Sequence, residues 1–137
     1  MKNPRLYPDS VYQEYMKAYD NFYKKRLSIF GKGCPRLDSQ FSESIAADYV
    51  DFDIDHKNGV DGHNSKGESY EVKGTGYTNT KVRFNSKVQA DHIIWVKAVQ
   101  NQVMIYEMDL SVYQHLDSNG FVDLSKETKT QKGTLTF

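Results

Sequence analysis

From Asp9 onward, Val11, Tyr12, Tyr15, Tyr19, Phe22 and Tyr23 recur at helical spacing, which predicts an amphipathic helix over residues 9–29 capped by Asp9 or Ser10. Gly31 and Gly33 end that pattern and Pro35 opens a connection. Asp38 or Ser39 then stands where a cap is needed for a second helix, SQFSESIAADYV, running to Tyr49. Beyond it the period drops to two. Val50, Phe52 and Ile54 alternate with Asp51, Asp53 and Asp55, the pattern of a half-buried strand, and Lys57-Asn58-Gly59 reads as a turn. A second turn cluster, Asn64 to Gly67, precedes a strand over 69–74 with Tyr70 and Val72 on one face and Glu71 and Lys73 on the other. Residues 86–90 suggest a short helix. Two strands, 92–99 and 103–108, flank an Asn101-Gln102 turn and are apolar enough to be covered on both faces. After Ser111, SVYQHL suggests a helical turn or two, and the polar SKETKTQKGTLTF a final edge strand. The order predicts a mixed α+β domain with a central sheet flanked by helices.

Composition narrows the class. At 137 residues the chain is read as one domain over 1–137, divided into an N-terminal helix and connection (1–38), a core (39–110) and a C-terminal extension (111–137). The single cysteine, Cys34, excludes an intrachain disulfide framework, lacks a partner for a zinc knuckle and is read as a loop or packing residue. No apolar leader or membrane-length stretch is present, so a soluble cytoplasmic protein is expected. With 18 basic and 18 acidic residues the balance is neutral, so any nucleic-acid binding must come from locally gathered cations.

The chemistry concentrates around the hairpin GVDGHNSKGESYEVKG. Folding about Lys66 places Asp61 opposite or nearly opposite Glu71, and cross-strand neighbours have Cβ atoms about 4.5–5.5 Å apart, where two carboxylates repel unless a cation or proton intervenes. A divalent ion resolves the repulsion. Mg²⁺ takes a few carboxylate oxygens with water and substrate phosphate, and the Val72 carbonyl between the two polar side chains is a further candidate ligand. Lys73 would stand beside the site to orient or deprotonate a water, or to neutralise charge on a phosphate.

Asp61, Glu71 and Lys73 together resemble the PD-(D/E)xK nuclease superfamily, and within it the small type II restriction endonucleases. The family's proline is replaced by Val60. Two surrounding features extend the resemblance over roughly residues 39–110: the helix ahead of the hairpin with Glu43, and ADHIIWVKAVQNQVMIYEMD, which is similar to the family's next strand pair. The resemblance implies an α/β/α restriction-endonuclease-like core and a Mg²⁺-dependent endodeoxyribonuclease, with Mn²⁺ able to substitute. It would cut double-stranded DNA at a specific site by in-line attack of a metal-activated water. Asp61 and Glu71 would hold the metal, Lys73 would act on the water, and Glu43 would assist through a ligand water or a second metal. One site per small chain implies a homodimer for cutting both strands. The first helix, rich in tyrosine, is suited to packing on its own sheet or on a second subunit.

For DNA contact the candidates are Lys66, Tyr77, Asn79, Lys81, Arg83, Asn85, Lys87 and Gln89, since Lys and Arg meet phosphates while Asn, Gln and Arg read base edges. Lys24, Lys25, Arg26, Lys32 and Arg36 are instead assigned to a helix end, where cations suit the dipole. Three alternatives stay open. A Holliday-junction resolvase shares the acid-acid-lysine arrangement, although greater basicity is expected of one; a non-catalytic nucleic-acid or protein-binding module could keep the fold. A looser metal cluster of Asp53, Asp55, His56 and His63 is the third, whereas the EF-hand spacing of Asp51, Asp53 and Asp55 fails at His56 and Gly62. His92 and His115 have no zinc-spaced partner.

Overall fold

Apolar spacing along the first helix decides which of its faces is buried. In the computed structural model, which describes residues 4–32 and 36–137, α1 (Asp9–Phe30) buries Tyr12, Met16 and Tyr19 and leaves Phe22, Leu27, Ile29 and Phe30 exposed. The cap differs from expectation: Pro8 occupies the N-cap without a side-chain bond, because Asp9 is engaged by Arg5 and the Tyr49 hydroxyl. Gly31, at φ 75°, ends the helix and donates its N–H to the Leu27 carbonyl. Gly33, Cys34 and Pro35 lie outside the described residues. Asp38 caps α2 (Ser39–Val50) as expected, its carboxylate accepting from the Gln40 amide.

The acidic strand expected over 50–55 is shorter than its alternation implied. Val50 ends α2 and Asp51 turns left-handed at φ 60°, so only β1 (Asp53–Ile54) is extended. Phe52 is still buried, stacked on Tyr70. After the Asn58-Gly59 turn come β2 (Gly62–His63) and β3 (Ser69–Thr75), antiparallel with Gly62 opposite Tyr70. The crossover from β3 carries β4 (Lys81–Arg83) to β5 (His92–Val99), which runs parallel to β3. β6 (Gln102–Met108) returns antiparallel through a turn with Asn101 at φ 66°. β7 (Phe121–Asp123) pairs with β4 as a small separate sheet, and β8 (Lys129–Thr136) closes the main one. The main sheet therefore has six strands in the order β1-β2-β3-β5-β6-β8. The protein is an α+β fold with a mixed sheet.

Two cores flank this sheet. On one face Tyr70, Val72, Ile94, Val96 and Ile105 pack against Tyr12, Met16, Phe41 and Ile45 from the two helices. On the other, Ile93, Trp95 and Met108 meet Val82, Phe84, Val112, Val122 and Leu124. Among the described residues the second layer is thus the β4–β7 sheet with 3-10 turns at Leu110–Gln114 and Leu124–Lys126, where helices had been expected on both sides. The short helix expected over 86–90 is a turn, because the Asn85 side chain accepts from the Lys87 amide and satisfies the backbone locally. No helix among the described residues is long and apolar enough to cross a membrane.

Candidate metal centre and adjoining cationic cleft

The site forms where β2 stops and β3 continues with an open edge. The ladder's last pair is Gly62–Tyr70; the Asp61 amide still donates to the Tyr70 carbonyl at 2.9 Å, and the Asp61 side chain extends the link, its Oδ2 accepting the Val72 amide at 2.7 Å. An extended residue presents its N–H and C=O to the same side, so the Val72 carbonyl also faces the edge occupied by Asp61. Continuing the register puts Asp61 opposite Glu71, as the turn spacing predicts. The Asp61 carbonyl in turn accepts from the amides of Asp55 and His56, each at 3.1 Å, which closes the 55–61 loop over the site.

Glu71 and Lys73 project from the face of β3 that carries the Ile93 and Trp95 side of the sheet, since Glu71 pairs with Ile93 and Lys73 with Trp95. Lys73 Nζ lies 3.9 Å from Glu71 Oε1 and 4.9 Å from the centre of the Phe84 ring, so its ammonium is held between a carboxylate and an aromatic face. Burial, followed by the nearby charge of Asp61, pushes the Glu71 carboxyl up to about 7, and Lys73 offsets only part of that. The two carboxylates of Asp61 and Glu71 beside the Val72 carbonyl form an oxygen donor set of the kind that could hold a divalent ion.

Glu43, on α2, arrives beside this edge as the helix packs across Gly74. A Cβ at Gly74 would stand 2.8 Å from Ser42 Cβ, so only glycine permits the approach. Glu43 does not stand alone: its Oε1 lies 2.5 Å from His56 Nε2, and this contact raises the proton affinity of the imidazole. Among the described residues, ligand atoms of Glu43, His56 and Asp61 all fall within 4.8 Å of one another. The looser cluster of Asp53, Asp55, His56 and His63 is not assembled. His63 instead bonds Asp55 at 3.0 Å, and His56, whose backbone is left-handed at φ 53°, meets Glu43. His92 and His115 pair with Glu107 and Glu127. No local pattern links Glu43 to His56; a histidine in a turn directly after an acidic strand is the only sequence signal for it.

Next to Lys73 opens a cleft of about 740 Å³ between the start of α2, the end of β3 and the β4–β7 sheet. Lys73, Asn79, Lys81 and Arg83 line it, joined by Arg36, which lies before α2 in this lining and not at a helix C-terminus. Arg83, Asn85 and Lys87 also line a neighbouring depression against residues 117–120. Lys66, exposed at the hairpin turn, and the exposed Gln89 line neither. Tyr77 points elsewhere: its hydroxyl donates to Asp20 at 2.7 Å, and its ring packs edge-on against Tyr19 and Tyr23 of α1. No family model matches the chain, and no curated protein matches it in sequence.

Proposed function

We propose that this protein is a metal-dependent endodeoxyribonuclease of the type II restriction kind, acting in the cytoplasm on double-stranded DNA at a specific site. The observation that carries the reading is the convergence of Asp61, Glu71, Lys73 and Glu43 on the open edge of β3, beside a cleft lined by Arg36, Lys81 and Arg83. Asp61, Glu71 and the Val72 carbonyl would hold Mg²⁺, or Mn²⁺ in its place. Such an ion supplies Lewis-acid polarisation of a phosphate and lowers the pKa of a water.

The chain's own groups have distinct tasks. Lys73, held between Glu71 and Phe84, would as an ammonium donate to a phosphate entering from the cleft, orient the attacking water and stabilise charge as the leaving oxygen departs in line; only as the neutral amine would it take the water's proton. Glu43 assists from the helix side. Arg36, Lys81 and Arg83 would draw the DNA backbone towards Lys73, and the Asn79 side-chain amide, whose oxygen accepts from the Lys81 amide, would have its NH2 left for a base edge or sugar. Each chain carries one such centre, so cutting both strands calls for a homodimer matched to a two-fold symmetric site.

The test is incubation of unmethylated plasmid, phage and synthetic four-way-junction DNA with Mg²⁺ or EDTA, using wild type, Asp61→Ala and Lys73→Ala, with folding checked by circular dichroism. Discrete fragments from wild type alone, lost in EDTA and reduced at least about a hundredfold in both variants, are expected. Cleavage confined to four-way junctions would move the reading to a resolvase. Folded, metal-loaded protein that cuts none of these substrates would leave a binding module.

A further inference from the structure

We infer that Glu43, His56 and Asp61 form a second cation position, separate from the one at Asp61, Glu71 and the Val72 carbonyl and suited to a transition-metal dication over Mg²⁺. The inference rests on the nuclease reading for the first position only; the second stands on its own residues.

Three separate segments supply the ligands: Glu43 comes from α2, His56 from the loop after β1 and Asp61 from the residue before β2. Their ligand atoms lie within 4.8 Å of one another. Ligands about 2.0–2.2 Å from an octahedral ion are about 3 Å apart when adjacent and about 4.4 Å apart when opposite, so small side-chain rotations close the set around one ion. The 2.5 Å Glu43–His56 contact would open slightly as the ion replaces the shared proton. Asp61 is placed to serve both positions. One of its oxygens accepts the Val72 amide beside Glu71, and its carbonyl anchors the amides of Asp55 and His56, so the backbone bearing His56 is tied to the same residue.

The imidazole sets the preference. Mg²⁺ takes oxygen ligands and surrenders its waters reluctantly, while nitrogen donors favour first-row transition metals. Openness differs between the two ligands in a way that suits exchange with substrate. The Glu43 side chain is 15% exposed whereas that of His56 is 62% exposed, which leaves the outer coordination positions to water or a phosphate oxygen.

The experiment counts Mn²⁺ bound to DNA-free protein by electron paramagnetic resonance of the free ion, with pulsed detection of nitrogen coupling to the bound one. Variants are His56→Asn, chosen because asparagine tolerates φ 53°, Glu43→Gln and Glu71→Gln, each checked by circular dichroism. Expected are two Mn²⁺ per wild-type chain and a nitrogen coupling that disappears in His56→Asn. Affinity at that position should fall about tenfold or more in His56→Asn and Glu43→Gln, and excess Mg²⁺ should displace only the Glu71-dependent ion. Wild type without nitrogen coupling, or His56→Asn with unchanged stoichiometry, would reduce His56–Glu43 to an ion pair and overturn the inference. The two readings fail separately. His56-dependent Mn²⁺ binding without DNA cleavage removes the nuclease and leaves the site, whereas Mg²⁺-dependent cleavage without nitrogen coupling does the reverse.

Discussion

Glu71 shows what a carboxylate costs when it is built into a sheet edge beside another. Its pKa is near 7 in the folded chain against 4.5 for the free side chain, chiefly through burial and then through Asp61. Below pH 4.5 both folded and unfolded states hold the proton, so the group leaves stability unchanged. As pH rises towards 7 the unfolded chain ionises while the folded one resists, so stability falls across that window and levels off above it. In EDTA, Glu71→Gln should therefore be more stable than wild type by about 2–3 kcal/mol at pH 8 and nearly equal to it at pH 4, as read by urea denaturation. A variant no more stable at pH 8 would show that Lys73 already compensates the charge. The spacing of Asp61 and Glu71 was readable from the turn residues alone, because a hairpin's register follows from its loop. His56 was not, since its contact spans 13 residues and depends on where α2 lies.

At the level of elements, the contact between α2 and β3 couples stability to the site. Ser42 and Gly74 meet there, each next in sequence to a residue of the centre, Glu43 and Lys73. Gly74→Ala would set a Cβ 2.0 Å from Ser42 Oγ and force the helix outwards; the expected cost is about 1–3 kcal/mol in thermal or urea denaturation, and, on the proposed nuclease reading, a larger proportional loss of cleavage. Adding Ser42→Gly should recover part of both. The outer end of α1 behaves differently. Ile29 and Phe30 are 63% and 62% exposed, beyond the last residue of α1 buried in the core, Tyr19. Replacing either with Ser should change the stability of dilute protein by less than about 0.5 kcal/mol in the same assay. Helix boundaries and the β5–β6 hairpin were legible because apolar period and turn residues are local signals. The alternation over 50–55 does not become a full strand because Val50, half-buried, ends α2, whereas Phe52 is buried against Tyr70.

Across the whole molecule the formal charge is zero, so on the proposed nuclease reading attraction for DNA would come from locally gathered cations such as those of the cleft. Each phosphate neutralised contributes close to one unit to the salt dependence of binding, and Lys81→Ala or Arg36→Ala should reduce the slope of log K against log salt by about 1. Fluorescence anisotropy on a duplex measures this; an unchanged slope in both would place the DNA path elsewhere. Lys66→Ala, away from the cleft lining, serves as the comparison. The sequence by itself determined the two helices, the hairpin bearing Asp61 and Glu71, the β5–β6 pair and the α+β class, because periodicity, caps and turn residues act over a few positions. Only the tertiary structure decided that Glu43 and His56 meet, that Arg36 joins Lys81 and Arg83, and that a β4–β7 sheet covers the second face. Those outcomes depend on packing α2 across Gly74 and on folding the β3–β5 crossover back over Trp95, contacts between segments remote in sequence that leave no local pattern.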